Sequence, residues 1–199
     1  MPDTGAPHFI PFADPTDLVR DWPALSEDVA EAVADGLDEA GNAGIGSNVV
    51  TAVKTDPQST SVSAGATTPL VGLSATITPS STDSRILVLY YIVGAGASNS
   101  RSMGVILRRD ASAIAVGDSS GSRRLVTTAV EGGGFLGGNT TSGIVLDSPN
   151  TDQPVEYDFL IHNAQTSTAT LLVNRTREDD NNSRNWRATS AITLIEVAP

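Results

Sequence analysis

The 199-residue chain has no cysteine, which excludes disulfides, thiolate metal sites and cysteine nucleophiles together. Aromatic residues make up only 5% of it, and the two tryptophans, Trp22 and Trp186, are too few for a sugar-stacking groove. Lysine occurs once, at Lys54. No stretch approaches the roughly 20 consecutive apolar residues of a membrane span, so membrane insertion is not expected. The opening MPDTGAPHFIPFADP has neither the basic start nor the continuous apolar stretch of a secretory signal. No basic patch is interleaved with aromatics, so nucleic acid is not an expected partner.

What is present is unevenly distributed. Residues 1–44 carry ten acids and a single base, Arg20, whereas the other 155 residues carry thirteen acids and eleven bases. The net charge of −11 therefore sits mostly in a leader, ahead of a nearly neutral body. Prolines at 2, 7, 11, 15 and 23 remove backbone donors and predict an extended arm over 1–23. The arm concentrates Phe9, Ile10, Phe12, Leu18 and Trp22, more apolar side chains than a solvated tail carries. These five are predicted attachment residues for a partner, the other reading being a flexible leader.

Residues 24–45 predict a short acidic helix and linker. Ser26 can cap a helix over 24–40, and Glu27, Asp28 and Glu31 suit the positive end of its dipole. Leu25, Val29, Val33 and Leu37 form one narrow apolar stripe, which must face the body or copies of itself. Sequence alone does not choose between these, and the four residues are the candidate oligomer interface. Gly41, Asn42 and Gly44 end the helix.

From residue 48 the period changes to two. Alternation at Asn48–Asp56, Val71–Thr78, Val155–Ile161 and Ala188–Val197 predicts strands, as do shorter stretches at 103–109, 113–117, 124–130, 143–147 and 169–175. Arg85–Val93, RILVLYYIV, is continuously apolar and predicts a central strand buried on both faces. The expected fold over 46–199 is mainly β, an antiparallel β-sandwich or jelly roll. Its predicted core includes Ile86, Leu87, Val88, Leu89, Tyr91, Phe159, Ile161, Leu172, Ile192 and Leu194.

Catalytic constellations are thin, and the chain is read as no enzyme. His8 lies in the arm, and His162 ends a strand, where a surface residue is expected. Glu131–Gly143, EGGGFLGGNTTSG, lacks the lysine of a phosphate loop and reads as a hairpin tip. Phe135 and Leu136 at its centre are predicted contacts for a host or partner surface. Glu178, Asp179, Asp180, Asn181 and Asn182 cluster oxygen ligands, without the glycine and terminal glutamate of a calcium loop. An acidic turn is the simpler reading, and no cofactor or metal is expected. Asp158, Asp179 and Asp180 could supply paired carboxylates, as in almost any β-protein of this acidity. Asn174-Arg175-Thr176 matches a glycosylation sequon.

Three segments carry a resemblance. FADPTDLVRDWPALSEDVAEAVADGLDEAG (12–41) is similar to the N-terminal segment of minor tail and fibre-like proteins of bacteriophages. IGSNVVTAVKTDPQST and LVGLSATITPSSTDSRILVLYYIVG, within 45–94, resemble a β-domain of phage structural proteins. DDNNSRNWRATSAITLIEVA (179–198) resembles that domain's closing hairpin. The resemblance implies a virion component, commonly a homotrimer, attached by its N-terminal segment to other virion proteins. It also implies a β-domain exposed to a host cell-surface glycan or protein. A head decoration or cement protein is the alternative, and a wall- or glycan-degrading tailspike a third.

Overall fold

The computed structural model describes residues 29–33, 48–97, 102–130 and 139–199. From Val49 onward the described residues form two antiparallel sheets packed as a β-sandwich. The strands are β1 (Val49–Lys54), β2 (Gln58–Val62), β3 (Thr67–Pro69), β4 (Ala75–Ile77), β5 (Arg85–Ala97) and β6 (Met103–Arg109). They continue with β7 (Ser112–Ala113), β8 (Thr128–Val130), β9 (Asn139–Asp147), β10 (Val155–Asn163), β11 (Ala169–Val173) and β12 (Ser190–Val197). The first sheet runs β1-β12-β5-β11-β2, with β9 on the other edge of β5. The second runs β3-β10-β6-β7, with β4 beside β10 and β8 beside β6. Residues 29–33 are helical, within the predicted helix.

Period-two patterning explains the core. Ile86, Val88, Tyr90 and Ile92 of β5 point inward, opposite Tyr157, Phe159 and Ile161 of β10, and all are buried. Tyr90 and Phe159 meet edge to face with ring centroids 5.1 Å apart, joining one sheet to the other. Gly143 of β9 lies opposite Tyr90, and a Cβ there would fall 2.4 Å from the phenol oxygen. Only glycine leaves that ring its place. Of the predicted core, Ile86, Val88, Phe159, Ile161, Leu172, Ile192 and Leu194 are buried.

Three of the predicted core residues are not. Leu87 and Leu89 are only half-buried, and Tyr91 is 38% exposed. β5 is buried on one face, because no third layer covers the first sheet among the described residues. The continuous apolar run instead contributes its odd positions to an outward apolar face. That face continues across the register: Leu87 stands beside Ile195 and Leu146, and Leu89 beside Thr193 and Ile144. Val49 and Val53 of β1 extend it beyond β12.

Other boundaries shift for local reasons. Val71, placed in a strand from the sequence, is exposed in a turn closed by Gly72 at φ 78°, and only Ala75–Ile77 pairs. The glycine-rich stretch 131–143 is not all hairpin tip, since Asn139–Gly143 pairs with Tyr90–Gly94 of β5.

Candidate functional site

Several predicted site residues lie outside the described residues: Phe9, Ile10, Phe12, Leu18, Trp22, Leu25, Leu37, Phe135 and Leu136. Val29 and Val33 share the helix at 29–33, Val29 half-buried and Val33 43% exposed. The stripe is therefore open at Val33 in the isolated chain.

The residues that carried the resemblance come together in space, and what they build is structural. Lys54 of the VKTD phrase is 2% exposed, and its ammonium donates to Asp56 Oδ2 at 2.8 Å. That bond from Lys54 holds the Asp56 carboxyl below its ordinary range. The carbonyls of Lys54 and Asp56 both accept from Asn174 Nδ2, at 2.9 and 3.3 Å. Asn174 Oδ1 accepts in turn from the Ser190 hydroxyl at 2.6 Å. Asn174 is fully buried, so the sequon it heads is closed to glycosylation in the folded chain.

A second knot joins the other two phrases. Glu196 of SAITLIE is 1% exposed, and its Oε1 accepts from the backbone N–H and hydroxyl of Ser80 at 2.7 and 2.6 Å. Ser80 belongs to the TITPSS phrase. Asn48 Nδ2 bridges Glu196 Oε2 and the Thr78 carbonyl, at 3.2 and 2.8 Å. Burial alone would raise the Glu196 carboxyl, but the donors from Ser80 and Asn48 outweigh it and hold it below its ordinary value. A lowered folded value means stability that is present above the ordinary carboxylate range and lost as pH falls below that range through the lower folded value.

The acidic turn is internally paired. Asp179 meets Arg175 at 3.1 Å and Arg187 at 2.6 Å, and Asp180 accepts from Asn185. Asp158 is engaged by Arg108. Two guanidiniums on Asp179 offset the charge a calcium ion would need. Among the described residues, no cluster of histidine, aspartate and glutamate has metal-binding geometry.

His162 departs from the expected surface residue. It is 7% exposed, with Nδ1 3.1 Å from the Ala66 carbonyl. It lines a depression of about 410 Å³ with Arg123 and Arg124, neither of which meets a carboxylate among the described residues. Burial pushes the imidazole below its ordinary value; the Ala66 carbonyl opposes this and Arg124 adds to it. The ring thus stays neutral in the fold at a pH where the unfolded chain binds a proton. Stability is expected to fall as pH drops below about 6.5 toward the lower folded value, since only the unfolded state gains a proton there. Thermal melts from pH 7.5 to 5 should show this, and His162→Gln should flatten that limb.

No protein-family model and no curated protein matches this sequence.

Proposed function

We propose that this chain is a structural subunit of a bacteriophage virion, a trimeric tail-tip or fibre protein. Its N-terminal segment attaches to other virion proteins, and its β-sandwich is displayed for host-surface binding. The observation that carries the reading is the convergence of the resembling phrases. VKTD and TITPSS both lie more than a hundred residues before SAITLIE, yet Lys54 and Asp56 reach Ser190 of SAITLIE through the intervening Asn174, and Glu196 joins Ser80. Phrases that meet only in the fold read as one shared domain rather than as chance matches. The charge segregation supports the same division, with ten of the 23 acids placed in the first 44 residues. An attachment segment distinct from a near-neutral display domain fits that pattern.

The test is electron microscopy of intact particles with gold-labelled subunits, using the full chain and a chain lacking residues 1–23. Label at the tail tip or fibre, lost on deletion, is the expected result. Label on the head would favour the decoration or cement protein. Full occupancy by the truncated chain would remove the arm as anchor.

A further inference from the structure

The outward face of the first sheet has a composition that an isolated β-sandwich does not need. Val49 is 52% exposed, Val53 54%, Tyr91 38%, Ile144 72% and Leu146 48%. They lie on β1, β5 and β9, which with β12 make four adjacent strands, about 19 Å across at the usual strand spacing. The register sets them in three cross-strand rows: Val49 begins one that ends at Leu146, Thr51 one that ends at Ile144, and Val53 one that includes Tyr91. None of these rows contains a charged residue. Arg85 stands on the same side of β5 only beyond the last row.

Two side-chain pairs of the face bond to each other. Thr51 and Thr193 share a hydrogen bond at 3.1 Å, and the Tyr91 hydroxyl meets Thr189 Oγ1 at 3.0 Å. Covering the face therefore buries apolar area with little polar desolvation to offset.

We infer that this four-strand face is the surface through which copies of this chain associate. Its size favours a second copy over a short peptide. The five exposed residues and the half-buried ones between them open on the order of 600 Å² to solvent. That is at the upper end of patches on monomers and near the roughly 800 Å² each partner gives a standard interface. Charge favours the same occupant. Two copies of one chain present the same charges to each other, and a face free of charge brings no like-charge repulsion to their contact. This face is of that kind, whereas a surface made for a charged foreign partner would carry complementary charge.

The inference rests on the homo-oligomeric part of the proposed function and assigns it to the sheet as well as to the helix stripe. The test is analytical ultracentrifugation of the full chain at micromolar concentration. Wild type is compared with Ile144→Asp, Leu146→Lys, Val33→Asp and Val71→Asp. Val71 is 65% exposed and lies outside the face, so it serves as the control. The wild type should be oligomeric. Ile144→Asp and Leu146→Lys should each weaken association roughly 100-fold by placing an unpaired charge in the interface. The far-UV spectra of the two monomers should stay native, and Val71→Asp should change nothing. An oligomer that survives both face variants overturns the inference while leaving the proposed trimer standing, and dissociation by Val33→Asp alone would place the contact on the helix. A wild-type monomer overturns both. An unchanged oligomer with a lowered melting temperature in Ile144→Asp would mean that the chain's own leader covers the face, and would also overturn it.

Discussion

Replacing Asn174 with alanine should lower the free energy of unfolding by about 3–5 kcal/mol, read from the urea midpoint at unchanged slope. Two effects combine. The buried amide is lost from the Lys54 and Asp56 carbonyls and from the Ser190 hydroxyl, leaving polar atoms without partners in a dry site. Asn174 also sits at φ 58°, where a Cβ-bearing residue other than asparagine or aspartate is strained by roughly 1 kcal/mol. Asn174→Gly separates the two, because glycine adopts that backbone freely but makes none of the bonds. It should recover about 1 kcal/mol of the loss and no more. Full recovery by glycine would mean that strain alone accounts for asparagine at this position.

Asp147→Ala should cost about 2–4 kcal/mol, because Asp147 ties the two sheets together. It lies on β9 of the first sheet and accepts from Arg109 of β6 and Tyr157 of β10 in the second. Arg109 Nη1 reaches both carboxylate oxygens, at 3.0 and 2.9 Å, and the Tyr157 hydroxyl donates at 2.7 Å. Burial and then the Asp147 carboxylate push the Tyr157 phenol well above its ordinary value, so it remains a donor at every working pH. Alanine removes the acceptor of that hydroxyl and leaves Arg109 Nη1 with the Ser148 carbonyl at 3.1 Å. In a double-mutant cycle, Tyr157→Phe should cost less in the Asp147→Ala background than in the wild type. Independent costs would show that the carboxylate does not couple the sheets through this tyrosine.

The strands with strict alternation were legible in the sequence. β10 and β12 bury every second residue against the opposite sheet, and the apolar spacing shows it directly. β2 and β3 were invisible, because QSTSV and TTP carry almost no apolar pattern and hold their places by backbone pairing to β11 and β10. The continuous run RILVLYYIV was read as buried on both faces, since an apolar residue beneath a third layer and one on an uncovered face look alike in sequence. Among the described residues, only the absence of a covering element separates Leu87, Leu89 and Tyr91 from Ile86, Val88 and Tyr90.

Polar knots were the least legible part of the site. Lys54 stood out only as the single lysine, and Asn174 only as the head of a sequon. Both are buried by residues more than a hundred positions away along the chain, Lys54 and Asp56 against Asn174. The signal was present only indirectly, in the resembling phrases that contain Lys54, Ser80 and Glu196. Their side chains serve the closure of the domain. His162 misled for the opposite reason: its strand alternation points away from the core, yet the loop at Ala66 folds over it.

The knot at Glu196 also has a mechanical meaning. Asn48 is the last residue before β1, and it is held both by its side chain on Glu196 and Thr78 and by its carbonyl, which accepts from the Glu196 N–H at 2.9 Å. Any pull delivered through the preceding segment therefore arrives first at this clasp. Beyond it, β1 pairs with β12 along six consecutive residues, from Val49 opposite Ile195 to Lys54 opposite Ser190. Tension along the strand axis loads those pairs together, as shear, instead of opening them one after another as a zipper. Failure then requires the clasp and the ladder to give way at once, which would suit the proposed attachment through the N-terminal segment.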